Sequence, residues 1–221
     1  MSQDDEHNDE EAPELGDATI DRIATQVALV TLPLPELAHI RRDGVDVEGR
    51  DIYLFGEITE NDGGEFAQTI RYLERISTDP VRVWISSPGG DTGSEFMIHD
   101  AIRACLRDVY TIGIGEVASA ALLILVCGHR RFVTESTVAM AHQARVSGEK
   151  GIGLRAAQDR RAWEDWTQSH WVDLMARYVR GGRSFWKNAV DKGGEHWRIG
   201  GQAIVDAGMA DALWNPRGST S

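Results

Sequence analysis

The sequence predicts an α/β fold, a largely parallel sheet with helices on its faces, followed by one long helix. Three observations predict it. From Ile52 onward, short β-prone runs alternate with helix-period segments, the strand–helix–strand rhythm that builds parallel sheets. Two turns rich in small residues, 87-SPGGD-91 and 115-GEVAS-119, sit at strand-to-helix junctions, where such folds place their chemistry. Finally, 154-LRAAQDRRAWEDWTQSHWVDLMARYV-179 reads as a single uninterrupted helix.

In chain order, Ile20 to about Gly49 is mixed, with 32-LPLPEL-37 as a proline-punctuated connector. The first strand is 52-IYLFGEI-58, and the polar turn 60-ENDGGE-65 leads to a helical pattern over Phe66 to Ile76. In 81-VRVWIS-86, Val81, Val83 and Ile85 alternate with Arg82 and Trp84, a strand with two unlike faces. The segment 93-GSEFMIHDAIRACL-106 has helical period, with Phe96, Ile98, Ile102 and Leu106 near one face. Strand 109-VYTIGIG-115 follows, and then an apolar helix opened by Ser119. Two more strands are 131-RFVTE-135 and 137-TVAMAHQ-143, the second ending at His142. On the long helix Trp163, Trp166, Leu174 and Tyr178 lie near one stripe, the pattern of a core or subunit contact. After it come a short helix and glycine turn in 181-GGRSFWKNAVDKGGEHW-197, then a helix, a GMAD turn and the start of a final strand in 200-GGQAIVDAGMADAL-213.

Composition narrows the functional classes. The chain has 221 residues, 42% of them hydrophobic, enough for a real core. A net charge of -12 argues against a basic nucleic-acid surface, which needs clustered Lys and Arg. Much of the charge lies in 1-MSQDDEHNDEEAPELGD-17, which has too little apolar surface to offset ordering entropy and reads as a disordered tail. The expected organisation is that tail at 1–17, one domain over 18–214 and a flexible end at 215–221. Cys105 and Cys127 lie in apolar stretches without a metal or redox motif and read as buried small hydrophobes. The longest apolar run, Val117 to Cys127, is too short to span a bilayer, and no signal peptide opens the chain. A soluble cytoplasmic protein with no metal or cofactor is expected.

The chemistry begins with one hydroxyl. Ser119 stands among small residues at the start of an apolar helix. A lone serine there is most simply a packing residue. Acyl transfer by serine needs a base, a group that orients the base, and N–H donors for the oxyanion. A helix start offers positive partial charge and free backbone N–H groups, so the Ala120 amide is one candidate donor. Gly89 and Gly90, lacking a Cβ, let the backbone approach a substrate and are candidates for a second. Among seven histidines, His142 alone ends an apolar strand near these junctions, which makes it the candidate base.

These residues carry a resemblance. The stretch 84-WISSPGGDTGSEFMIHDAI-102 resembles the pattern "YINSPGG…G.aIyD.", and 113-GIGEVASAALLILVCGHRRFVTESTVAMAHQ-143 is similar to "..GqAASmga.LLaaG.kgkR..lpns..MiHQ". Both belong to the ClpP family of self-compartmentalising serine peptidases, which includes ClpP-like peptidases encoded by phages. SPGG, VAS and MAHQ in this order and at these separations are specific, and the match runs from about Asp51 to Leu213. It implies the ClpP/crotonase fold, repeated β-β-α units with a protruding long helix, the handle. It implies that Ser119 is the nucleophile, His142 the base, and that Gly89, Gly90 and Ala120 form the oxyanion hole. The family's third member is an aspartate in a D-x-F pattern, which 195-EHW-197 resembles. That puts Glu195 in its place, with Asp191 as the runner-up. The resemblance further implies a homo-oligomeric ring around a chamber, ring stacking, an AAA+ unfoldase as feeder, and unfolded or scaffold proteins as substrates.

The chain also departs from the family. Ala144 stands where the family has proline, 147-SGEKGIG-153 matches its glycine-rich stretch only loosely, and the long helix is unusually rich in tryptophan. These departures leave ring size and pairing open. Three other classes compete with the peptidase. A crotonase-type acyl-CoA enzyme needs only two backbone N–H groups and no serine–histidine pair. A Ser–Lys peptidase would have to draw on Lys150, Lys187 or Lys192. A structural subunit of the same fold would carry an inert serine.

Overall fold

A computed structural model describes residues 44–143, 154–191 and 197–215 of the chain. The acidic run 1–17, the 147–153 stretch and the end beyond Asn215 lie outside the described residues. The described strands are β1 (Val45–Asp46), β2 (Asp51–Phe55), β3 (Val81–Ser87), β4 (Val109–Ala118), β5 (Arg130–Val133), β6 (Val138–Ala141), β7 (Trp197–Gly200) and β8 (Ala212–Leu213). The helices are α1 (Asp62–Ile76), α2 (Thr92–Ala104), α3 (Ala120–Val126), α4 (Leu154–Tyr178), α5 (Gly182–Asp191) and α6 (Gln202–Asp206).

Strands β2, β3, β4, β5 and β8 run parallel side by side, with β1 antiparallel at the β2 edge. The sheet forks at β4. Its first half, Tyr110 to Gly113, pairs with β5, while Glu116 to Ala118 pair with β6. The Gly113 carbonyl marks the fork, accepting from the Thr134 amide at 3.0 Å and the Thr137 hydroxyl at 2.8 Å. The strand therefore continues to Ala118, three residues past the end expected at Gly115, because the second half has its own partner. Strand β7, antiparallel to β6, was not expected. Its sequence WRIG follows the glycine pair Gly193–Gly194, and its pairing with a distant strand leaves no local signature.

The alternation in β3 is realised directly. Val81, Val83 and Ile85 are fully buried, while Arg82 and Trp84 both bond to Asp51 of β2, at 2.6–2.8 Å. Helix α2 starts where Asp91 accepts a hydrogen bond from the Ser94 amide at 2.7 Å, an N-cap that satisfies one of the orphan donors of its first turn. It stops at Cys105, whose backbone is extended, so Leu106 leaves the apolar face it was expected to share and is 78% exposed. Helix α3 is buried all round. Each fully buried Leu or Ile there contributes roughly 1.5–3 kcal/mol.

The expected stripe on α4 divides. Leu174 is buried, but Trp163 and Trp166 are half exposed and stack on each other, with Trp166 also stacked on His170. The tryptophan that enters the core is Trp171. Near the C-terminal end of α4, the Tyr178 hydroxyl bonds to Nε2 of His99, tying α4 to α2.

Arg50 holds the loop between α1 and β3. Its backbone adopts a positive φ of 57°, and its guanidinium donates to the carbonyls of Leu73, Asp79 and Pro80. Arg50→Ala is expected to lower the unfolding free energy by roughly 2–4 kcal/mol, because buried carbonyls lose charged donors. Urea denaturation checks this, and an unchanged midpoint would show that these bonds contribute nothing.

Candidate active site

Strands β3, β4 and β6 are parallel, so their C-terminal ends share one edge of the sheet. The SPGG turn leaves β3 there, Ser119 leaves β4, and His142 leaves β6. The β4–β6 ladder ends with Ala118 opposite Met140 and is carried one step further by the Ser119 amide, which donates to the Met140 carbonyl at 2.8 Å. A cavity of about 560 Å³ opens at this edge and is lined by Gly89, Gly90, Ser119, Ala120 and His142. The edge thus brings together five of the seven residues singled out from sequence. Glu195 lies outside the described residues, and of Asp191 only the backbone, the last residue of α5, is described.

Ser119 sits at φ 54° and ψ -121°, a conformation that a residue with a side chain adopts at a cost of about 1–3 kcal/mol. Hydrogen bonds on both sides hold it: its amide to Met140, and its carbonyl accepting from the Leu122 amide at 3.0 Å. It occupies the N-cap position of α3, yet its hydroxyl makes no capping bond and is half-buried. The turn therefore presents the hydroxyl at the start of the helix without engaging it there. A strained strand-to-helix turn of this kind is the means by which α/β-hydrolases expose a nucleophilic serine.

Gly89 lies against this turn. Its φ is 95°, and a Cβ there would come within 2.7 Å of the Ser119 Cβ and 2.8 Å of the Ala118 carbonyl oxygen. Its N–H donates to the Ser87 hydroxyl at 3.0 Å, so that amide is already engaged. The Gly89 carbonyl accepts from Ile58 and the Asp91 amide donates to the Ile58 carbonyl, both at 2.8 Å. In an extended ladder alternate residues point to opposite edges. The Gly90 N–H is accordingly turned away from Ile58. A Cβ on Gly90 would collide with the Ile58 carbonyl.

His142 is half-buried, with its Nδ1 inside the protein. The cavity also contains a group that sequence inspection passed over. Glu95, one turn into α2, is only 3% exposed. Burial pushes its carboxyl up to about 8, against a hydrogen bond from Trp171 and with the added repulsion of Asp91. Its Oε1 and the Thr167 hydroxyl are both buried and make no hydrogen bond among the described residues. A signal was present: Glu95, Ile98 and Ile102 share one helical face, and a carboxylate in an apolar stripe is out of place. Thr167 and Trp171 on α4 complete this side of the cavity. They are brought in by tertiary packing alone.

Cys105 and Cys127 are free and buried. Burial raises both thiols, which disfavours the reactive thiolate. Among the described residues no cluster of His, Cys, Asp and Glu could hold a metal ion.

Comparison with known proteins bears on family and fold. The Clp protease family model matches residues 45–159. An ATP-dependent Clp protease proteolytic subunit 2 from Treponema pallidum is 33% identical over 161 residues, 72% of this chain and 79% of the relative. Its namesake from Treponema denticola is 41% identical over 106 residues, 47% of this chain and 52% of the relative. In that and several other matches the chain spans about half the length of the relative. Among solved structures, a point mutant of ClpP1 from Listeria monocytogenes superposes with a TM-score of 0.69 at 22% identity, over 77% of this chain and 94% of that one. That structure is a likeness of fold.

The raised carboxyl of Glu95 has a consequence for stability. The folded state holds this proton to about pH 8, against 4.5 for an ordinary glutamate. The native state therefore binds more protons between those values, and stability falls as pH rises through the window. Glu95→Gln removes the titration. Its stability relative to the parent is expected to improve between about pH 5 and pH 8, by on the order of a few kcal/mol. Thermal unfolding of both proteins across this range is the measurement, and parallel profiles would show that Glu95 titrates as an exposed carboxylate does.

Proposed function

The chain belongs to the Clp protease family, and we propose that it is a serine endopeptidase subunit acting through Ser119 and His142. One observation carries this reading. A strained, uncapped serine and a strand-end histidine line the same cavity, beside two glycines that leave room for a substrate backbone.

In this mechanism Ser119 Oγ attacks the carbonyl carbon of the scissile peptide while His142 takes its proton. The carbonyl oxygen becomes an oxyanion held by the N–H groups of Ala120 and Gly90. Gly89, whose own amide is engaged with Ser87, acts by leaving space. His142 then gives its proton to the departing amine, and an acyl-serine ester remains. Water, deprotonated by His142, hydrolyses the ester and frees Ser119. Glu195 is proposed as the group that orients His142, with Asp191 as the alternative. Either carboxylate would favour the imidazolium formed during attack.

The family context extends the proposal to assembly. Copies of the chain form a homo-oligomeric ring enclosing the cavities, in the cytoplasm, with an AAA+ unfoldase delivering unfolded or scaffold proteins. Neither nucleic acid nor membrane enters this scheme. Among the described residues no helix is long and apolar enough to cross a membrane.

Reaction with a fluorophosphonate, read by intact mass, tests the site. Wild-type protein is expected to gain one adduct, and Ser119→Ala none, with its assembly size unchanged. His142→Ala should slow both labelling and peptide cleavage by at least about 10³-fold. Undiminished labelling of the Ser119 variant would remove Ser119 from the reaction. A well-folded wild-type protein that never labels would point to a structural subunit.

A further inference from the structure

Glu95 and Thr167 are not needed for the reaction proposed above, yet both face its cavity. Glu95 is 3% and Thr167 5% exposed, and each has a buried oxygen without a hydrogen-bond partner among the described residues. Buried polar atoms are rarely left so, because each forfeits its hydration. Two such atoms on one cavity wall, contributed by α2 and α4, point to a ligand group that supplies the missing bonds.

The charge of the wall says which kind of group. Glu57, Asp91, Glu95 and Glu164 all line the cavity, and among the described residues no lysine or arginine does. Asp91 is partly engaged by its capping bond to the Ser94 amide, so Glu95 holds the least satisfied carboxyl. The indole rings of Trp163 and Trp171 also line the space. Aromatic faces accept both the methylene stem and the charged head of a basic side chain. The volume of about 560 Å³ falls within the range of ligand pockets and exceeds what one aliphatic side chain would fill. An apolar side chain placed here would leave the Glu95 and Thr167 oxygens both dry and unpaired.

We propose that the wall of the cavity formed by Glu95 and Thr167 is a specificity subsite for a lysine or arginine side chain next to the scissile bond. The proposal rests on the peptidase reading for its substrate, and on the cavity alone for its ligand chemistry. The cation donates to Glu95 Oε1 and to Thr167 Oγ1. Its charge draws the proton from the Glu95 carboxyl into solvent, so that a neutral acid in the free protein becomes one half of an ion pair in the complex. Binding thus releases a proton below about pH 8, and affinity for a cation rises with pH up to that point. Among the described residues, the other ionisable groups around this carboxyl are Asp91 at its own helix cap, Glu57 after β2, Glu164 on α4, His142 after β6 and Cys127 at the end of α3. They contribute to any single pH profile, so the difference between wild type and Glu95→Gln isolates Glu95.

The test uses the full chain and needs no turnover at its first step. p-Aminobenzamidine, a fluorescent arginine-like cation, is titrated into wild type, Glu95→Gln and Thr167→Val, with the neutral p-aminobenzamide as control. Saturable binding to wild type, weakened about tenfold in Glu95→Gln, is the expected result. Thr167→Val should weaken it by a smaller factor. Equal affinity in wild type and Glu95→Gln, absence of saturable binding, or a preference for the neutral amide would overturn the proposal. In the second step, kcat/KM is compared for peptides carrying lysine or norleucine before the scissile bond. The lysine-to-norleucine ratio should exceed one in wild type and fall about tenfold in Glu95→Gln, whereas a ratio indifferent to the substitution would sink the specificity role. If the amidinium binds through Glu95 but no peptide is cleaved and no fluorophosphonate reacts, the subsite stands and the peptidase reading fails.

Discussion

The site depends on one backbone hydrogen bond, from the Ser119 amide to the Met140 carbonyl. It extends the β4–β6 ladder one residue beyond the last paired strand position and holds Ser119 at a φ of 54°. Without it the serine would relax toward an ordinary strand or helix conformation, and its hydroxyl would be free to cap α3 as N-terminal serines usually do. With it, the turn into α3 is held, the serine hydroxyl makes no capping bond, and Ser119 lines the cavity. Because Met140 lies two residues before His142, the same bond ties Ser119 to the strand that carries His142.

That bond exists only because the sheet forks. A straight parallel sheet would pair β4 with β5 over its whole length and leave its C-terminal half without room for β6. The Gly113 carbonyl, held by Thr134 and Thr137, ends the first pairing and starts the second. The β3–β4 register is irregular at the same level: Ile85 pairs with Gly113 but Ser87 with Val117, so β4 carries two extra residues there. Gly89 tolerates its approach to Ser119 because it has no Cβ to meet the serine. The buried helix α3 then anchors the far side of the turn. Strain at the serine is offset by packing and hydrogen bonds that do not themselves touch a substrate.

Glu95 illustrates the opposing tendency, in which function is retained against stability. A carboxyl on the buried face of α2, beside Asp91 and under Trp171, is desolvated in the free protein. An apolar residue would pack there at lower cost. The cavity gains instead a group whose charge state responds to what enters it. The carboxyl and the serine thus draw on different parts of the fold, Glu95 on α2 and Ser119 on the turn after β4.

The sequence by itself determined the fold class, most of the order of its elements, and the glycine turn, serine and histidine that the structure brings to one cavity. These are written in short-range signals: period-two alternation in 81-VRVWIS-86, helical period in α2 and α4, and small residues packed around Ser119. It also carried the family motifs, whose order and separation survive as adjacency at one sheet edge. Tertiary structure alone decided the rest. Strand β7 exists because β6 offers it an edge, Leu106 is exposed because α2 ends at Ala104, and the Gly89 amide is engaged because the Ser87 hydroxyl turns back on it. The meeting of Glu95 with Thr167 and Trp171 joins two helices far apart in the chain. No local pattern encodes such a meeting, because burial and the loss of a partner are properties of the packed interior and not of any residue's neighbours in sequence.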